Sequence, residues 1–264
     1  MIILKVGGGK NINWDYIARD IAGLKEPVII VHGANYLMKD ISARLGIGER
    51  IITSPSGHVS RYTDEKTMEI LLMTYSGLMN KKIVASLQTY GINAVGLTGV
   101  DGKLWQGKRK EVILAEEIGK VKTIRDSLTG NVVSVNTGLI KLLVNNGYTP
   151  VMTIPAITED GELINVDNDR AIAIMVRDLG IKKVVMLFEA GGLLQNLDDP
   201  SSIIKHIDKK DLDSYIGKTA GRMRKKLLGV KEAFSYGVKS VYFGDGRIEK
   251  PLTSALAGRG TLIN

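Results

Sequence analysis

Ile2-Ile3-Leu4-Lys5-Val6-Gly7-Gly8-Gly9 is the stretch from which the rest of the chain can be read. Apolar residues around a single lysine, ending in three glycines, describe a buried strand that runs into a tight turn. Glycines in such a turn let backbone N–H groups approach phosphate oxygens with no Cβ in the way. Lys5 is the odd member, because an ammonium inside an apolar strand needs an anionic partner. The plainer reading of the same stretch is a strand-to-helix turn with a surface lysine. Outward from it the pattern repeats: helical spacing around Trp14 to Leu24, an apolar run Val28 to Val31 ending at His32-Gly33-Ala34-Asn35, then helical spacing through Leu45. Short apolar runs separated by helices indicate a parallel sheet covered on both faces, hence an α/β fold.

Composition bounds what such a fold can be for. At 264 residues the chain fits one large domain or two lobes around a cleft. With 44% hydrophobic residues it can bury a substantial core, and its mean hydropathy of +0.04 is that of a globular protein. Runs such as Val28 to Val31 and Val184 to Phe188 are far too short to span a membrane. The opening Met1-Ile2-Ile3-Leu4-Lys5 reads as a first strand rather than a signal peptide, which makes the cytoplasm the expected location. The absence of cysteine removes disulfides, thiolate metal sites and cysteine nucleophiles. A net charge of +8 favours an acidic partner. Nucleic acid is one such partner, but aromatic content is only 5% and no nucleic-acid motif is present.

The middle of the chain alternates less regularly. A long helix is expected from Asp64 to about Tyr90, with a break near Gly77. Its stripe Met68, Leu71, Leu72, Tyr75, Leu78 and Met79 suits either core packing or a subunit interface. Strands are expected at Asn93 to Leu97 and Pro150 to Thr153, hairpins within 99–135, a helix at Thr137 to Asn146, and a hairpin turn at Asp160-Gly161. A buried helix follows Asp169, then a strand Val184 to Phe188, a helix Met223 to Tyr236 and a strand Ser240 to Phe243. The pattern divides into lobes at 1–172 and 173–264.

Two further stretches carry chemistry. Asn165-Val166-Asp167-Asn168-Asp169 precedes the buried helix; Asp167 or Asn168 can cap it, and Asp169 then falls in its first turn, where a carboxylate suits the helix dipole. Gly221-Arg222-Met223-Arg224-Lys225-Lys226 opens the later helix, with five basic residues between Lys218 and Lys226. Met223, Leu227, Val230 and Phe234 form its core face, and Lys226 lies beside that face, leaning toward the helix start. A solvated basic helix is the plainer reading. His32 reads as a packed, hydrogen-bonded histidine, while Arg61 offers a fork for a carboxylate or simply faces solvent.

Taken in this order, these pieces resemble the amino acid kinase family over essentially the whole chain. Within it the chain is most similar to acetylglutamate kinases and to the carrier-protein-linked aminoadipate/glutamate kinases. The resemblance implies a three-layer α/β sandwich around a mainly parallel central sheet, with an acyl-amino-acid and dimerisation lobe followed by an ATP lobe. It implies that Lys5 and Lys226 stabilise the transferring phosphoryl group and that Asp169 orients both. Lys5, Gly7, Gly8, Glu189, Met223 and Lys226 then serve the nucleotide, while Ala34, Asn35, Arg61 and Asn165 serve the acceptor. No protein metal site is implied, since Mg2+ travels on the ATP phosphates. Three departures from acetylglutamate kinases cover four positions: Ala34-Asn35 in place of two glycines, Arg222 in place of a glycine before Met223, and Glu189 in place of an aspartate or asparagine.

The implied reaction passes the ATP γ-phosphoryl group to a side-chain carboxylate. In the carrier-linked group the amino group is attached to the small acidic protein LysW. The basic charge, with Lys103, Lys108, Arg109 and Lys110 close together, suits such a partner. Gly57-His58-Val59-Ser60-Arg61-Tyr62-Thr63-Asp64 also resembles that group. LysW-linked aminoadipate or glutamate is therefore the expected acceptor, in lysine or arginine biosynthesis, with a homodimer as the assembly. Free N-acetylglutamate or N-acetylaminoadipate is the alternative. A nucleotide-binding regulator or scaffold for an acidic protein, without catalysis, is a reading of another class.

Overall fold

A computed structural model describes residues 1–55, 59–117 and 120–264. Gly57 and His58, quoted above for the carrier-linked resemblance, lie outside the described residues. Eight strands make the central sheet: β1 (Ile2–Val6), β2 (Val28–His32), β3 (Ala94–Thr98), β4 (Thr149–Thr153), β5 (Lys183–Phe188), β6 (His206–Ile207), β7 (Ser240–Asp245) and β8 (Thr261–Ile263). Their spatial order is β6-β8-β7-β5-β1-β2-β4-β3. Every neighbouring pair is parallel except β7 with β8. The mainly parallel sheet read from the short apolar runs is therefore the frame of the molecule.

The pleat sorts side chains onto two faces. Ile3, Ile29, Val31, Val184 and Met186 belong to one core, while Ile2, Leu4, Val6, Ile30, Val185 and Leu187 belong to the other. Helices cover both. Residues of Asn168–Leu179 and Gly221–Ser235 fill the first core, and Trp14–Ala22, Asn80–Thr89 and Pro251–Leu256 fill the second. Three layers result, as the resemblance implied. Lys5, two residues along the strand from Ile3, shares its face and so projects into the layer built by the helices Asn168–Leu179 and Gly221–Ser235.

The chain leaves β1 for β2 on one side, whereas β5 and all later strands lie on the other. Connections thus diverge at the β1–β5 boundary, and open α/β sheets form a crevice beyond the strand C-termini at such a point. Lys5 stands one residue before that end. Residue 172, where the sequence pattern divides the lobes, falls inside Asn168–Leu179, and each half contributes four strands to the single sheet.

The expected break near Gly77 takes the form of a π-helical stretch, Leu72–Met79, between the α-helices Glu65–Leu71 and Asn80–Thr89. Met68, Leu71 and Tyr75 pack into the first core, Ile83 and Leu87 into the second, and Met79 touches both. Most of the apolar stripe is therefore core, but Leu78 is 40% exposed. A smaller sheet, Leu163–Ile164, Ala156–Ile157, Trp105–Arg109 and Gly130–Val135, stands over the crevice side. Its Ala156–Ile157/Leu163–Ile164 pair is antiparallel, and Gly161 in the connection adopts φ +89°, where glycine avoids strain. Two hairpins complete this region: Ile51–Thr53 with Val59–Arg61, and Ile113–Glu117 with Lys120–Ile124.

Candidate active site

The site begins where β1 stops. Gly7 N–H donates to Leu187 O at 2.8 Å and Gly33 N–H donates to Val6 O at 3.0 Å, so the sheet ladder extends on both sides into the glycine turn. There the backbones of two loops touch. A Cβ on Gly8 would lie 2.5 Å from the nitrogens of both Ala34 and Asn35, so no other residue fits without moving main chain. Gly7 is under no such constraint, its added Cβ meeting only ordinary contacts at 3.5 Å.

Asp167 caps the helix Asn168–Leu179, accepting from Asp169 N–H at 2.8 Å and Arg170 N–H at 3.3 Å. That cap frees Asp169, in the first turn, to face β1. Its Oδ1 lies 2.9 Å from Lys5 Nζ and its Oδ2 lies 3.5 Å from Lys226 Nζ. Lys226 reaches it because the two helices approach closely: a Cβ on Gly229 would come within 3.1 Å of the Asp169 main chain. Gly229 is one helical turn beyond Lys226. The two lysines and the aspartate, separated by more than two hundred positions in sequence, thus meet at one buried point.

The three charges are unequal. Burial opposes ionisation of Asp169, but Lys226 and Lys5 outweigh it and hold the carboxyl well below its usual range. Burial also works against the Lys5 ammonium, yet Asp169 at 2.9 Å and neighbouring hydrogen bonds raise it above its ordinary value. Lys226 is farther from the shared carboxylate. Burial, only partly offset by Asp169 and reinforced by the Lys5 charge, lowers it to about 8. Its ammonium also lies 5.8 Å from the Phe188 ring centroid. Two cations on one carboxylate leave a net positive point, which an incoming anion would neutralise.

A cleft of about 390 Å³ opens from this point, lined by Lys5, Arg61, Lys110, Arg170, Arg222, Lys225 and Lys226 against Glu49, Asp167 and Asp169. Gly8, Asn35, Arg61 and Asn165 line it with the lysine pair. Arg61 donates through Nε to Glu49 Oε1 at 2.9 Å and through Nη1 to Met38 Sδ at 2.9 Å, so it faces the cleft from a fixed seat. Asn165 Nδ2 donates to Thr63 Oγ1 at 2.9 Å, which holds its side chain at the rim. Ala34 is buried behind Asn35 as the residue preceding the helix Asn35–Arg44.

Glu189 and Met223 do not line this cleft. Glu189 Oε1 accepts from Asn11 N–H at 2.7 Å and so braces the far side of the glycine turn; Met223 packs against the first core. His32 is a structural residue, as its sequence context indicated. It alternates onto the face opposite Lys5, its Nε2 lies 3.1 Å from Asn80 Nδ2, and burial pushes its pKa down to about 3, leaving the ring neutral.

The basic cluster in the hairpin region is dispersed rather than presented as one patch. Lys103 and Lys108 are exposed, but Arg109 pairs with Glu162 and donates to Ser127 O. Lys110 turns into the cleft, where burial and Arg170 lower its pKa. Lys110, Arg170 and Tyr75 are lining residues that sequence reading did not place at the site. Nothing local to their sequence distinguishes them, because their positions depend on how the small sheet and the long helix dock.

A buried carboxylate clamped between two lysines, beside a glycine turn and a cationic cleft, defines a site of the phosphoryl-transfer type. The profile of the Amino acid kinase family matches residues 1–245. The LysW-aminoadipate kinase of Deinococcus radiodurans is 44% identical over 100% of this chain and 91% of its own length. The LysW-aminoadipate kinase of Thermus thermophilus is 42% identical over 100% of both chains. Among solved structures, the N-acetylglutamate synthase of Neisseria gonorrhoeae superposes with a TM-score of 0.79 at 19% identity, across 99% of this chain and 58% of that one. This last likeness concerns the fold alone. The chain belongs to the amino acid kinase family.

Proposed function

We propose that this chain transfers the γ-phosphoryl group of ATP to the side-chain carboxylate of 2-aminoadipate carried on LysW, giving an acyl phosphate in lysine biosynthesis. The acceptor is inferred from the 44% and 42% identity, over the whole chain, to two relatives bearing that name. The meeting of Lys5, Asp169 and Lys226 supports the phosphoryl-transfer half.

A carboxylate of pKa about 4 is ionised at neutral pH and needs no general base. The protein's task is to hold two anions in line and neutralise the charge that spreads over the transferring group. Lys5 and Lys226 would flank the phosphoryl oxygens, and Asp169 would keep both ammoniums in place without touching the reacting atoms. The Gly8 N–H would complete the cradle in the turn that Gly7 opens, the Gly7 N–H itself being taken by Leu187 O, with Glu189 and Met223 on the nucleotide side. Ala34, Asn35, Arg61 and Asn165 would hold the acceptor. Among the described residues no group of three or more histidine, aspartate or glutamate side chains converges to hold a metal ion. Mg2+ would enter with its substrate, on the ATP phosphates.

The same reading takes the enzyme as a cytoplasmic homodimer. Among the described residues no helix is long and apolar enough to cross a membrane. Leu78 and Met73, exposed on the long helix, offer an apolar surface for a second copy.

ADP release measured with LysW-linked aminoadipate, LysW-linked glutamate, N-acetylglutamate and N-acetylaminoadipate tests the acceptor. A strong preference for LysW-linked aminoadipate is expected. Preference for a free acetylated compound would overturn the acceptor assignment, and no acceptor-dependent ADP release at all would favour a non-catalytic nucleotide-binding role.

A further inference from the structure

Tyr75 sits at the acceptor end of the cleft, and no step above uses it. It is 97% buried by its neighbours, with a relative exposure of 3%, yet its hydroxyl reaches the cleft wall. The Tyr75 O–H donates to Asn35 Oδ1 at 2.7 Å. Burial raises the pKa of this phenol, and the Arg61 charge works against that rise. The phenol thus spends its own proton on the Asn35 amide oxygen. That settles which way the Asn35 amide is turned: the carbonyl oxygen meets Tyr75, and the N–H pair is directed away from it. Asn35 is exposed and lines the cleft.

The backbone beneath Tyr75 is unusual in the same place. Tyr75 lies within the π-helical stretch Leu72–Met79, and single π-helical turns recur at functional sites because they redirect a side chain that an α-helical turn would place elsewhere. The Thr74 hydroxyl donates to Ile70 O at 2.7 Å and reaches Leu71 O at 3.3 Å, using main-chain acceptors of the preceding turn. A tyrosine needed only to fill the core would not require its oxygen to bond a cleft-lining polar side chain.

We propose that Tyr75 is the positioning residue of the acceptor half of the site: its hydroxyl turns the Asn35 N–H pair into the cleft, which the Arg61 guanidinium held by Glu49 also lines, so that together they read the oxygens of a carboxylate-bearing acceptor. This rests on the kinase reading above and extends it to a residue that does not itself touch the reacting atoms. It also gives a reason for the side chain at Asn35, where acetylglutamate kinases commonly have glycine: the amide supplies donors that a bare backbone turn lacks.

The test is a double-mutant cycle of Tyr75→Phe and Asn35→Ala, with KM measured separately for LysW-linked aminoadipate and for ATP, and thermal midpoints recorded alongside. Tyr75→Phe removes one oxygen and leaves the packed ring. It is expected to raise the acceptor KM about tenfold, with the ATP KM within about twofold of wild type. The double variant should be less impaired than the product of the two single effects, because both changes remove the same oriented donor. An acceptor KM within about twofold of wild type, an equal rise in both KM values, or strictly multiplicative effects would overturn the proposal. If Tyr75→Phe does not fold, Asn35→Ala alone decides: an unchanged acceptor KM refutes the reading and a selective rise supports it. Wild-type turnover of the LysW-linked compound tests the kinase reading separately. If the wild type prefers another acceptor of the panel, the cycle is run with that acceptor, so the two ideas fail independently.

Discussion

Replacing Asp169 by asparagine keeps the shape of the site and removes only its negative charge. Two ammoniums, Lys5 and Lys226, would then share a buried point with a neutral amide where each now has a carboxylate oxygen, at 2.9 and 3.5 Å. Removing one partner of a buried ion pair costs about 3–5 kcal/mol, because the remaining charge stays desolvated without compensation. The cost should fall at the lower end of that range. Lys226 already ionises at about 8, and losing its proton is the easiest relief open to the variant. The expected loss of unfolding free energy at neutral pH is thus about 3 kcal/mol, measured by urea or guanidinium denaturation.

The pH dependence gives the prediction its edge. In the variant, Lys226 would be neutral when folded but charged when unfolded, since a free lysine ionises near 10.4. The unfolded state then binds more protons, and stability rises with pH wherever that holds. In the wild type this rise begins only near the Lys226 value of about 8. The gap between variant and wild type should therefore narrow as pH is raised from about 6 to about 8. Asp169 itself acts in the opposite region. Its folded pKa is depressed, so its contribution is complete above the unfolded value of about 3.9 and drains away as pH falls from there toward the folded value. A destabilisation under about 1 kcal/mol, or a gap that does not change with pH, would refute the electrostatic account of the triad.

The same Lys226 value carries a kinetic expectation: kcat/KM, which reports groups on the free enzyme, should fall as pH rises through about 8, and Lys226→Arg should abolish that limb because a guanidinium stays charged. A flat profile to pH of about 10 in the wild type would remove Lys226 from the charge-stabilising role. Gly8→Ala should destabilise the fold, because its Cβ would lie 2.5 Å from two backbone nitrogens. Shifting that main chain is expected to cost about 1–3 kcal/mol, and a thermal midpoint equal to wild type would contradict the loop contact.

How far the sequence reached depended on whether a signal was local. The apolar runs at β1, β2 and β5 could be read as parallel strands because burial on both faces leaves a continuous hydrophobic run in each. Asp167 was legible as a capping candidate from its place before a buried helix, and its side chain does accept from the first-turn N–H groups. The two-residue strand His206–Ile207 and the three-residue strand Thr261–Ile263 were not read, for they carry too few residues to show any period. Glu49 as the partner of Arg61 and Lys110 in the cleft were also out of reach. Each depends on how separate hairpins and sheets dock, and a charged residue gives no local sign of which neighbour it will meet. The basic cluster likewise divides in a way its sequence does not signal: Lys103 and Lys108 stay exposed, while docking brings Arg109 to Glu162 and Lys110 into the cleft.

Lys5 shows why the site is built this way rather than on flexible surface lysines. A lysine on a central strand has no freedom to follow its substrate, so its placement must be right before the nucleotide arrives. Burial alone would favour releasing its proton; Asp169 prevents this, and the Asp167 cap in turn directs Asp169 at the strand. The carboxylate is shared, however, and one negative charge cannot satisfy two ammoniums. Burial lowers Lys226 to about 8, and its share of the carboxylate, set against the Lys5 charge, does not make up the difference. An arriving phosphoryl group supplies the missing negative charge, so the site gains more from an anion at this point than two fully paired lysines would. Preorganised charge of this kind does its work without reorienting at the moment of reaction. It follows that a second carboxylate placed near Lys226 would make the free protein more stable and the kinase slower, since the anion it is built to receive would find its place already taken.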